Sequence, residues 1–142
     1  MKTPHIVIDT SVWIAALRSK RGAAYKLLRW VGTGRFEIHI SVPLSFEYEA
    51  VANRMLAEIP LNGADVKALL DYVCAVGQPE QIFYLWRPFL RDAEDDRVLE
   101  LAVTSRSRYI VTYNIRDFSG AEQFGIQGVT PGAFLAEIGG GV

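Results

Sequence analysis

The sequence predicts an α/β protein with three layers, α/β/α, around a mostly parallel central sheet of about five strands. Three observations predict it. Short apolar runs rich in β-branched residues, Ile6-Val7-Ile8 first among them, alternate with longer segments whose apolar residues recur at helical spacing. Acids and an asparagine follow such runs rather than interrupt them, at Asp9, Asn114 and Asp117. Half of the 142 residues are hydrophobic, and the glycines and prolines are scattered instead of gathered into a linker. One domain with its own core is expected over residues 1–138, with 139–142 as a flexible tail.

The first strand is expected around residues 5–8, delivering Asp9 to its carboxyl end, with Thr10 or Ser11 capping the helix beyond. A short helix over 12–17 is broken by Ser19-Lys20-Arg21-Gly22. Residues 23–31 place Ala24, Leu27, Leu28 and Val31 on one face and Lys26 and Arg29 on another, a second helix ended by Gly32-Thr33-Gly34. Residues 36–40 alternate apolar and polar, as a half-buried strand should, and Ser41 with Pro43 opens a third helix over 43–58. Along it Leu44, Tyr48, Val51 and Met55 form an apolar stripe, with Glu47 beside it. Pro60 and Asn62-Gly63 break the pattern before a fourth helix over 64–76, closed by Gly77. The aromatic run 81–86 reads as the third strand and 87–94 as a loop. Asp95-Asp96 then opens a helix through Val103, its acidic start favoured by the helix dipole. Residues 108–113 and 126–130 are the last strands, and 131–138 is a closing helix with proline at its start.

Composition narrows the class. A formal net charge of −1 does not mark a protein that binds nucleic acid by charge alone, although Arg18, Lys20, Arg21, Lys26 and Arg29 cluster locally. No apolar run approaches the roughly 20 residues that span a bilayer, and residues 1–4 are too short for a signal peptide, so a soluble cytoplasmic protein is expected. Cys74, the single cysteine, rules out an intrachain disulfide and a thiolate metal cluster, and its apolar surroundings predict burial. His5 and His39 sit near strand starts, where structural roles are expected. Trp13, Trp30, Trp86 and the phenylalanines read mainly as core or interface residues. Wide apolar faces on the helices over 23–31 and 64–76 suggest a homodimer or a groove for a partner.

Right-handed crossovers would bring the strand ends, and with them Asp9, Asp95, Asp96, Asn114 and Asp117, to one edge of the sheet, within reach of Glu47. Each alone is an ordinary cap, turn former or surface acid. Together they form a candidate site, because one fold gathers them. The order of Asp9-Thr10-Ser11 after a strand, Ser41 six residues before Glu47-Tyr48, the run from Asp92 to Ala102, and Thr112-Tyr113-Asn114-Ile115-Arg116-Asp117-Phe118 resembles the PIN domain, most closely the VapC-like toxins of bacterial toxin–antitoxin pairs. Val129 to Leu135 resembles that family's closing strand and helix.

The resemblance implies a PIN-like fold and a ribonuclease dependent on one or two Mg²⁺ or Mn²⁺ ions. It implies RNA as substrate and an antitoxin protein as partner. It carries Asp9, Glu47 and Asp95 onto the first three acids, with Asp96 as rival for the third. The fourth position is Asn114 or, three residues on, Asp117; Asp117 is preferred, with Asn114 a neutral ligand or water-holding group. Ser11 matches a small polar residue that orders the site, and Thr112 leads the last motif. Carboxylates suit the chemistry, since hard cations prefer oxygen ligands and can activate water, neutralise phosphoryl charge and assist the leaving oxygen. A catalytically weak module that binds RNA or protein is the alternative. A phosphoryl-transfer enzyme with Asp9 as nucleophile is disfavoured, because Ser11 stands where a second acid is needed.

Overall fold

A computed structural model of the chain describes residues 3–81, 90 and 92–139. In order, the elements are β1 (His5–Ile8), α1 (Thr10–Arg18), α2 (Ala23–Arg29), β2 (Glu37–Ile40), α3 (Val42–Arg54), α4 (Gly63–Val76), β3 (Gln78–Pro79), α5 (Ala93–Ser105), β4 (Tyr109–Val111), β5 (Gln127–Val129) and α6 (Pro131–Glu137). The strands form one five-stranded sheet in the order β3-β2-β1-β4-β5, and every neighbouring pair is parallel. The three-layer α/β/α fold expected from the sequence is thus the fold of the chain.

Parallel strands covered on both faces need apolar side chains in both directions, and the central strands supply them. Ile6, Val7 and Ile8 of β1 and Tyr109, Ile110 and Val111 of β4 are all buried. Helix α5 packs across β1, β2 and β4, while α1 lies against α2 and α3, and α2 against α6. Trp13, wholly buried, and Phe36 and Phe134, edge to face at 5.6 Å, are among the largest side chains in the core. No helix among the described residues is long and apolar enough to cross a membrane.

Several boundaries differ from the expectations. Helix α3 ends at Arg54 and only a short 3₁₀ turn, Leu56–Glu58, continues it. The third strand is Gln78–Pro79, immediately after α4; the aromatic run expected to form it lies, from Ile82 on, outside the described residues. This early turn into the sheet needs Gly77, because a Cβ there would stand 2.9 Å from the Val73 carbonyl oxygen and 3.2 Å from Ile40. Helix α5 starts at Ala93, two residues before Asp95, because Asp92 is its N-cap and accepts the Glu94 N–H at 2.8 Å. Cys74 is exposed, not buried: the covered stripe of α4 is Val66, Leu70 and Val73, and Cys74 stands one position past it. Of the tail, only Gly139 is among the described residues.

Candidate active site

Strand order reverses between β1 and β4, since β2 and β3 extend the sheet to one side and β4 and β5 to the other. The carboxyl ends of strands flanking such a point form the crevice in which open α/β sheets bind ligands. Asp9 ends β1 there, its N–H donating to the Val111 carbonyl at 2.9 Å, and Thr112 ends β4, its N–H donating to Val129 at 2.8 Å. Both residues are buried. The Asp9 side chain does not cap α1; its Oδ2 accepts the hydroxyls of Ser11 at 2.8 Å and Thr112 at 2.7 Å. Thr10 or Ser11 is the cap expected from the sequence, and neither caps the helix; their hydroxyls donate to Glu47 and Asp9 instead. The Ser11 and Thr112 oxygens also accept the N–H groups of Tyr113 at 3.2 Å and Asn114 at 2.9 Å, tying the loop after β4 to Asp9.

Glu47 arrives on α3, which Ser41 caps by accepting the Leu44 N–H. The next residue fixes where the helix sits. Tyr48 donates its hydroxyl to the carbonyl of Ile8, just before Asp9, while the Trp13 indole N–H donates to the Tyr48 carbonyl at 3.0 Å and the two rings stack 5.0 Å apart. Glu47 Oε2 in turn accepts the Thr10 hydroxyl. Burial raises the Glu47 pKa; the Thr10 hydrogen bond opposes this, the carboxylates of Glu94 and Asp9 add to it, and Arg97 lowers it. The sequence placed Tyr48 only in an apolar stripe and Thr10 only as a cap, so neither positioning contact was foreseen.

Asp95 and Asp96 follow different paths from the first turn of α5. Asp96 is buried, and its Oδ1 accepts the Leu90 N–H at 2.7 Å. Asp95 is partly exposed and its pKa is pushed up to about 7, first by burial and then by the carboxylates of Asp117, Asp9, Asp92 and Glu47. Asp117 sits exposed on the 3₁₀ turn Ile115–Phe118 and shares with Asp92, Asp95 and Arg116 a cleft of about 810 Å³. Asn114, also exposed, leads into that turn. Asp9, Glu47 and Asp117 thus all lie within electrostatic reach of Asp95, while Asp96 is buried with its Oδ1 bonded to the Leu90 amide. Asp92 joins the field, a contribution not anticipated because the residue falls within the loop expected over 87–94.

The donor set consists of carboxylate and hydroxyl oxygens, the type that Mg²⁺ and Mn²⁺ prefer. Among the described residues no three His, Cys, Asp or Glu side chains are already gathered into a ligand cage. The mutual repulsion recorded at Asp95 is nevertheless of the kind that a divalent cation relieves, so the residues fit such an ion. His5 and His39 lie apart from this cluster, bonded to each other at 2.7 Å.

Residues 5–116 match the family model of the PIN domain. The chain belongs to the PIN domain family. PIN domains are generally nucleases; they typically use divalent metal ions and commonly bind RNA. The match contains Asp9, Ser11, Glu47, Asp95, Asp96, Thr112 and Asn114, and it stops one residue short of Asp117. No curated protein matches this PIN domain.

Proposed function

We propose that this PIN domain is a metal-dependent endoribonuclease, hydrolysing RNA phosphodiester bonds as the VapC-like toxin of a toxin–antitoxin pair. The observation that carries the reading is geometric: Asp9 is held by Ser11 and Thr112 at the carboxyl ends of β1 and β4, and Asp95 and Asp117 line one cleft, with an Asp95 carboxyl whose pKa burial and neighbouring carboxylates push up. Carboxylates crowded in this way repel one another, and a bound divalent cation relieves that repulsion.

Asp9, Glu47, Asp95 and Asp117 would hold one or two Mg²⁺ or Mn²⁺ ions. When bound, the ions supply an activated water, neutralisation of charge on the phosphoryl oxygens and help for the leaving oxygen. Ser11 and Thr112 hold Oδ2 of Asp9 through their hydroxyls, which orients the carboxylate before any ligand arrives. Asp95, whose pKa is raised by burial and its neighbours, would hold the ion in its deprotonated form. Glu47, tethered at Oε2 by Thr10, would take a proton from water, a task its raised pKa suits. Asn114 offers a neutral amide for a water molecule. Asp96 serves the fold, through Leu90, rather than the reaction. An antitoxin would silence the enzyme by covering the acid cleft, and the homodimer and the cytoplasmic location belong to the same reading.

The test is cleavage of a pool of single-stranded and structured RNA by purified protein with Mg²⁺ or Mn²⁺ against EDTA, beside Asp9→Asn prepared identically. Metal-dependent cutting that the variant lacks supports the proposal. Equal inertness of both, with no metal-induced rise in melting temperature, favours instead a PIN module that binds RNA or protein without cutting.

A further inference from the structure

We propose that the cleft at the amino edge of the sheet is a second binding site, built from Arg35, Arg106 and Arg108 and taking a phosphate group, whether free or carried on a nucleic-acid backbone. It does not rest on the nuclease reading.

The cavity has a volume of about 960 Å³, and His5, Arg35, Glu37, Arg106, Arg108 and Glu137 are among its walls. His5, Glu37 and Tyr109 begin β1, β2 and β4, so in a parallel sheet this is the edge opposite Asp9 and Thr112. A four-residue strand separates the two edges by about 13 Å of rise.

Three arginines line this cleft, and two of their guanidiniums lie over aromatic rings. Arg35 stacks over the Trp30 ring, 4.0 Å from its centroid, and Arg108 lies 5.5 Å from that of Tyr109. The Arg108 backbone is clamped between strands, its N–H donating to His5 and its carbonyl accepting from Gln127, both at 2.9 Å. Arg106 closes α5 with φ of 57°, the only non-glycine residue in the left-handed region among those described. A glycine or asparagine there would be the unstrained choice.

Among the described residues these charges are not spent on ion pairs. Among the described residues the carboxylates in contact with basic side chains are Glu80, bonded to His39, and Asp71, paired with Lys67, so no arginine of the cleft reaches a carboxylate, although Glu37 and Glu137 share its walls. Glu137 is occupied by the Tyr109 hydroxyl, which donates to its Oε1 at 2.6 Å. Arginines that line one cavity without a carboxylate bonded to them offer the fork of donors that phosphate oxygens match. A fixed imidazole adjoins them. Glu80 holds His39 Nδ1 at 3.0 Å and His39 Nε2 holds His5 Nδ1 at 2.7 Å, which leaves His5 Nε2 as the nitrogen without a hydrogen bond to the described residues.

The experiment measures calorimetric binding of inorganic phosphate to the full chain, and fluorescence anisotropy of a labelled single-stranded RNA in EDTA at several salt concentrations. Three proteins are compared: the natural chain, Arg106→Gln/Arg108→Gln, which keeps the Arg35–Trp30 stack, and Glu37→Gln, which removes a competing carboxylate. The double variant should bind phosphate at least tenfold more weakly, and Glu37→Gln should bind it several-fold more tightly, a gain that misfolding cannot imitate. If RNA affinity falls with phosphate affinity and the salt slope drops by about 1 to 2, the ligand is backbone phosphate. If phosphate responds and RNA does not, the site takes a free phosphate. If the double variant, with an unchanged circular dichroism spectrum, binds both as the natural chain does, or Glu37→Gln changes neither, the proposal is overturned.

Discussion

Replacing Asp95 with asparagine should stabilise this protein at alkaline pH and leave it unchanged in acid. In the folded chain the Asp95 carboxyl keeps its proton until about pH 7, whereas its ordinary value is 3.8. Between these two values the folded state binds more protons than the unfolded state, so stability falls as pH rises through the window and stays at its lower level above it. Asparagine carries no charge to repel, so its advantage is absent below about pH 4 and complete above about pH 7. At face value the interval corresponds to about 4 kcal/mol. Asp95 is only partly buried, however, and screening by solvent brings this to about 1 to 2 kcal/mol. An acid in the first turn of α5 also gains about 0.5 kcal/mol from the helix dipole, which asparagine forfeits. The expected net gain is about 1 kcal/mol, or a rise of about 2–5 °C in melting temperature. Urea unfolding at pH 4, 6 and 8, in EDTA, measures it. A variant less stable than the natural chain at pH 8, or a difference that does not change with pH, would refute the electrostatic account of the cluster.

Other perturbations probe the same site from its supports. Mg²⁺ or Mn²⁺ should raise the melting temperature of the natural chain, by as much as about 2.7 kcal/mol of stabilisation at a hundredfold excess over Kd, and Asp95→Asn should lose most of that rise; an equal rise in both would place the ion elsewhere. Thr112→Val removes a buried donor to Asp9 and should cost about 1–3 kcal/mol in urea unfolding and at least tenfold in RNA cleavage. Tyr48→Phe breaks the bond to the Ile8 carbonyl and should cost about 1 kcal/mol, with cleavage reduced through the displaced Glu47. Asp96→Asn keeps an oxygen for the Leu90 amide and should retain most activity, while Asp96→Ala should lower stability by about 1–3 kcal/mol; a dead but stable Asp96→Asn would make Asp96 the third acid.

What was readable in the sequence is what depends on short stretches and their order. A β-branched run ending in an acid is enough to mark β1 and Asp9, because a strand buried on both faces has nowhere to put a carboxylate except at its end. What was not readable depends on partners far along the chain. The start of α5 was misplaced because Asp92, Asp95 and Asp96 are all acceptable caps, and only the Glu94 amide decides among them. Cys74 looked buried because an apolar run does not reveal how much of a helix its neighbours cover. Thr10 and Ser11 have the chemistry of caps, and it is the approach of α3 and β4 that turns their hydroxyls toward Glu47 and Asp9 instead. The chain from His5 through His39 to Glu80 requires the register of three strands, which no local pattern contains.

The parallel sheet links the acid cluster to the arginine cleft by one cause. When all strands run the same way, whatever follows them gathers on one edge and whatever precedes them gathers on the other. Asp9 and Thr112 follow β1 and β4; Arg35 precedes β2, and Arg106 and Arg108 precede β4. Residues about seventy positions apart in sequence thus become neighbours without any local signal for it, and a chain whose net charge is −1 gathers Asp92, Asp95 and Asp117 in one cleft and Arg35, Arg106 and Arg108 in another. Net charge is therefore a poor guide to whether this protein binds phosphate, because topology sorts the charges that the sum cancels.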